Sequence, residues 1–206
     1  MASYTVAITG ASGAVYGVTL LDRLAEAGHD IALVVSQDGV TVVKEETGID
    51  WGGDASKVRR AVDRRYRGRV TWWEPHNFYA PIASGSHLCE GMIIAPCSMK
   101  TAAAVAHGLS ASLIERAADV MLKERRTLIV VPRETPLSSI HLENLLTLSR
   151  AGAHVVAAMP AFYHRPQSLD DLVAFVVGRV LDHLGIAHDL VPRWGADRRP
   201  RRARER

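Results

Sequence analysis

Cysteine is scarce: Cys89 and Cys97 are the two in 206 residues. A pair so placed makes neither a disulfide framework nor a Cys-x-x-Cys metal or redox motif, and each reads as a buried free thiol. Long apolar runs are missing too. None approaches the roughly 18 residues of a membrane span, and the start, MASYTVAITG, lacks the basic region and apolar core of a secretory leader. The expectation is a cytoplasmic protein with no membrane partner. Nine histidines contain no His-Glu-x-x-His or other paired ligand spacing, so no metal is expected. No internal repeat or low-complexity linker divides the chain, and 206 residues suffice for one packed domain but are short for two.

The basic balance has a local source. The last nine residues, RRPRRARER from Arg198, carry +5, whereas the whole chain carries +3, so the rest is close to −2. A short, Pro-interrupted charge run reads as a disordered solubilising tail over 198–206, leaving a single domain over 1–197. With no aromatic interleaving and no recognition motif, no nucleic-acid partner is expected.

What remains is a regular alternation. Apolar strand patterns at YTVAIT (4–9), IALVVS (31–36), RVTWWE (69–74), GMIIAP (91–96), TLIVVP (127–132) and HVVAAMP (154–160) are separated by helical patterns at 14–27, 37–46, 55–67, 100–107, 112–124, 139–150 and 169–184. Strands alternating with helices predict an α/β protein with a Rossmann-like, doubly wound parallel sheet in three layers. In such a sheet ligands sit outside the carboxyl ends of the strands.

Four strings fall at such ends. GASGAVYG (10–17) is a Gly-rich turn opening a helix, where backbone amides can approach a phosphate. It is close to a dinucleotide fingerprint, so an NAD(P)-dependent reductase competes. Against that, the second strand ends in Ser36 where a ribose-binding acid is expected, and no Tyr-x-x-x-Lys pair occurs. APCSMKT (95–101) puts Ser98, Lys100 and Thr101 at a helix start, as phosphate donors or, with Ser98, as a plain N-cap. PRETPLSSIHLEN (132–144) masses Arg133, Glu134 and His141 around a Pro-broken turn, either as ligand-handling charges or as a solvated turn in which Glu134 and Ser138 cap. AFYHRPQS (161–168) precedes the last helix. Arg116 and Lys123, seven apart, share a helix face.

Taken in order, the four strings resemble the flavin prenyltransferases of the UbiX type, over about residues 5–194. The resemblance implies transfer of a dimethylallyl group from dimethylallyl phosphate to reduced FMN, at N5 and then C6. The product, prenylated FMN, would serve a UbiD-type decarboxylase, and the enzyme would be a homo-oligomer, commonly a dodecamer. It implies FMN contacts from Gly10, Ala11, Ser12, Ser36, Ser98, Met99, Lys100, Thr101 and Arg133. Tyr163 and Arg179 would bind the donor, with Arg116 and Lys123 near its phosphate. Ser12, Glu46 and Glu134 would move protons, and Trp194 would face the developing cation. Glu45 leaves the Glu46 register open by one. Phe78 stands where several relatives carry Trp, Lys100 where many carry Gly, and Ser112 where Asn is frequent. Two other readings stay open: a non-catalytic subunit that delivers FMN to an aromatic acid decarboxylase, and a flavin-dependent decarboxylase of cysteine-containing substrates.

Overall fold

The computed structural model describes residues 2–193, so Trp194 and the tail lie outside the described residues. Six strands form one parallel sheet: β1 (Ser3–Ile8), β2 (Asp30–Val35), β3 (Val70–Trp73), β4 (Gly91–Cys97), β5 (Thr127–Pro132) and β6 (His154–Val155). Their spatial order is β3-β2-β1-β4-β5-β6. The chain therefore winds outward in one direction from β1 and in the other from β4, which leaves a crevice between the carboxyl ends of these two strands.

The period of two along each strand sorts side chains between two cores. Val6, Ile8, Leu33, Val35, Ile93, Ala95, Ile129 and Val131 point to one face, under α1 (Ala14–Glu26), α2 (Gln37–Thr47), α3 (Ala55–Tyr66) and α7 (Leu169–His183). Their neighbours Ala7, Val34, Met92, Ile94, Leu128 and Val130 point to the other, under α4 (Met99–Ala106), α5 (Leu113–Lys123) and α6 (Ser139–Arg150). These are the three layers that the alternation predicts. Both cysteines are buried and free. Burial pushes the Cys97 thiol up to about 12, which keeps it unreactive at neutral pH.

Helix starts follow the hydroxyls. Ser36, Ser98, Ser112, Ser138 and Ser168 cap α2, α4, α5, α6 and α7, each accepting a first-turn amide. β6 is shorter than expected, two residues against seven. Its ladder bonds nonetheless continue, with Val156 N donating to Val130 O at 2.9 Å and Ala158 N to Pro132 O at 3.0 Å. As an edge strand it pairs on one side only, with β5.

Candidate flavin and prenyl-donor site

The crevice is fastened by a residue that sequence reasoning passed over. Thr9 is buried at the end of β1, where its Oγ1 donates to Pro96 O at 2.8 Å and accepts from Ser98 N at 2.8 Å. The start of α4 is thus tied to the end of β1. A threonine ending an apolar run just before GASG was the available signal. Beside it Ser98 Oγ caps Thr101 N and lies 3.1 Å from Thr101 Oγ1, while Met99 is buried and Lys100 is exposed.

The Gly-rich turn holds an anion of the protein's own. Gly13 has φ 104, a left-handed conformation that a Cβ disfavours. Its N–H donates to Glu46 Oε2 at 2.9 Å, and the Ala14 N–H to the same oxygen at 2.7 Å. Of the two neighbouring acids it is Glu46 that reaches this turn. Glu46, arriving from the last turn of α2, occupies the Gly13 and Ala14 amides of this turn. Ser12 is exposed beside this contact. Arg133 closes the group from the end of β5, its Nε donating to Ser12 O at 2.9 Å across 121 residues. Glu134 follows at the surface and accepts the Thr135 N–H at 2.9 Å. Ser36 lies at the carboxyl end of β2, accepting Gly39 N at 3.0 Å. His141 belongs to the helix start, where its Nδ1 accepts the Ser138 N–H at 3.3 Å.

A second group gathers at the other edge of the sheet. The ring of His183, at the end of α7, lies 4.8 Å from that of His154, the first residue of β6, and Leu184 reaches the start of β4 at Gly91. Arg179, one turn earlier, and Tyr163 line a cavity of about 250 Å³ together with Phe175, Asp182, His188 and Arg193. The fold therefore brings Tyr163 and Arg179 into one pocket, as the sequence suggested. None of Ser12, Glu46, Arg133 or Glu134 lines it. Lys123 is also near the amino edge, just before β5, paired with Glu124. Arg116 donates through Nε to Ala83 O at 3.0 Å and through Nη1 to Asp119 at 2.9 Å. Both face the loop 81–87, from the one helix face that their spacing predicts. The pocket that holds Tyr163 and Arg179 includes none of Arg116, Lys123, Arg133 and Glu134.

Comparison with known proteins decides the family. A family model described as Flavoprotein matches residues 2–181. The flavin prenyltransferase UbiX of Halalkalibacterium halodurans is 49% identical over 195 residues, covering 95% of this chain and 94% of the relative. The chain belongs to the flavoproteins of the UbiX flavin prenyltransferase type. A solved UbiX (PadA1), in complex with FMN and dimethylallyl pyrophosphate, superposes with a TM-score of 0.83 at 41% identity, covering 94% of this chain and 97% of that one. A dodecameric FMN-dependent UbiX-like decarboxylase from Escherichia coli O157:H7 gives a TM-score of 0.82 at 44% identity, with coverage of 93% and 98%.

Ser112 forms a capping box with Glu115 at the start of α5, so a serine serves there as the helix cap. Lys100 is exposed in the first turn of α4, and Phe78 is an exposed apolar side chain. Among the described residues no helix is long and apolar enough to cross a membrane, and no three His, Cys, Asp or Glu side chains gather as a metal site.

Proposed function

We propose that this chain transfers the dimethylallyl group of dimethylallyl phosphate to reduced FMN, first at N5 and then at C6, yielding prenylated FMN for a UbiD-type decarboxylase, in the cytoplasm. The observation that carries the reading is the Arg133 to Ser12 bond at 2.9 Å, which sets the Gly-rich turn, a cation and the acid Glu134 at the open end of the β1–β4 crevice. The donor set there suits a flavin mononucleotide. Hydroxyls of Ser36, Ser98 and Thr101 and a guanidinium are hydrogen-bonding groups for a ribityl phosphate. Because Glu46 fills the first amides of α1, the phosphate falls to the start of α4, whose first-turn amides have no partner inside the helix.

Reduced flavin supplies the nucleophilic ring, and the protein must stabilise a departing phosphate without a metal. Arg133, Arg179, Lys123 and Arg116 provide the charge and Glu134 a route for the proton. Ser12 and Glu46 assist deprotonation at the ring. Since the donor pocket and the flavin turn lie at opposite edges of one chain, the complete site is assembled between copies. Exposed Ile140, Leu146, Met159 and Phe162 offer apolar surface for that assembly, and a dodecamer like that of the E. coli relative is the expected state. Anaerobic incubation with reduced FMN and dimethylallyl phosphate, followed by mass spectrometry, tests the reaction. A flavin heavier by one prenyl unit supports it, and unchanged FMN refutes it.

A further inference from the structure

The end of α7 and the segment after it fold around one carboxylate. Asp182 accepts Arg179 Nη1 at 2.9 Å, Arg193 Nη1 at 2.7 Å and His188 Nε2 at 3.2 Å. The imidazole is aimed from its other side, where Leu190 N donates to His188 Nδ1 at 3.3 Å. That bond requires a bare Nδ1, so Nε2 carries the proton given to Asp182. Gly178 leaves room for the ring, since a Cβ there would stand 3.0 Å from His188 Cε1. The side chains of Asp182 and His188 are 20% and 9% exposed, whereas those of Arg179 and Arg193 are 52% and 62% exposed. The anion is inside and the two cations face outward. Burial alone would raise the Asp182 pKa, but the bonds and charge of Arg193, with His188, outweigh it and hold the carboxyl below its usual range.

We propose that Asp182 is a positioning residue for the prenyl donor, aligning Arg179 and Arg193 as paired guanidinium forks over the cavity beside Tyr163, so that Arg193 joins Arg179 in binding the donor phosphate. Two guanidiniums held this close repel unless an anion bridges them, and Asp182 supplies that bridge while leaving the cluster a net positive charge. Each fork has five N–H donors and spends one of the observed bonds on Asp182, so donors remain for phosphate oxygens. Phe175 gives the cavity an apolar wall for the hydrocarbon part. The assignment rests on Tyr163 and Arg179 being donor residues.

Calorimetric titration of dimethylallyl phosphate into the assembled protein tests this independently of turnover. Asp182→Asn and Arg193→Gln should each weaken donor binding roughly tenfold, the scale of one charge-assisted bond, with FMN affinity unchanged. In an Arg179→Ala background, Asp182→Asn should cost less than the product of the two single effects. Unchanged donor affinity in both Asp182→Asn and Arg193→Gln would overturn the proposal, as would effects of Asp182→Asn and Arg179→Ala that simply multiply. If Asp182→Asn fails to fold, Arg193→Gln decides alone, its side chain being exposed. Asp182-dependent donor binding with unchanged FMN after incubation would leave this assignment standing and remove the transferase reading. A wild-type protein that binds no donor would remove both.

Discussion

Glu46 closes the amino end of α1, its carboxylate accepting the Ala14 N–H at 2.7 Å. The acid that the family resemblance places in proton transfer is therefore also the anchor of the turn that carries Ser12. Both roles are open to the same variants. Glu46→Ala removes the bonds to Gly13 and Ala14 and should lower stability by about 1 kcal/mol, a melting shift of roughly 2–4 °C for a chain of this size. FMN affinity should fall roughly tenfold as the turn loosens. Glu46→Gln, which keeps an accepting oxygen, should lose less in both. Heat scans paired with FMN titration check this, and a Glu46→Ala protein that binds FMN normally would separate the anchor from the flavin.

Arg133 holds the same turn from the end of β5, through Nε to Ser12 O. Arg133→Ala should weaken FMN binding about tenfold to a hundredfold. Arg133→Lys should not restore it, because an ammonium lacks the Nε donor and the planar fork. Fluorescence titration of FMN reads both variants, and full rescue by lysine would mean that charge alone matters.

Glu134→Gln keeps size and hydrogen bonding but cannot carry a proton. FMN should still bind, and turnover should fall by about 10²-fold or more. If Glu134 serves only the turn at Thr135, the rate stays near wild type and the melting temperature falls slightly. Single-turnover flavin spectra distinguish the outcomes.

Asp182 gives a pH signature. Its folded pKa is below the unfolded value of 3.8, so the stabilisation of segment 186–193 is fully present above that value. It is lost as pH falls through the lower folded pKa. Amide exchange at Leu190 should therefore stay slow from neutral pH down to about pH 4 and quicken only below it. Release of this segment already near pH 6 would mean that another group holds it.

Much of the architecture was legible because the apolar runs are short and separated by helical patterns, which points to layers and winding without any contact being known. Ser98 and Ser138 show the same for local structure, since a hydroxyl before a helical pattern is nearly self-explanatory. The site was legible as strings and not as a place. Nothing local in GASG says that Glu46, 33 residues on, will fill its amides. Nor does spacing reveal that Thr9 pins Ser98, or that Asp182 gathers Arg179, His188 and Arg193 from both sides of a helix end. Such contacts depend on where separate elements meet. The absence of Arg133 and Glu134 from the pocket of Tyr163 and Arg179 was hidden for the same reason, because a sequence records residues in order and not the place each takes in the fold.

The claim of a divided site is tested most directly by mixing two inactive proteins. Arg133→Ala disables the flavin turn and Arg179→Ala the donor cavity; each alone should prenylate FMN very slowly. Co-refolded at equal amounts, they should regain prenyl transfer measured by flavin mass, since some sites then combine an intact Arg133 from one copy with an intact Arg179 from another. Mixed oligomers, verified by mass, that stay as inactive as the separate variants would contradict the account.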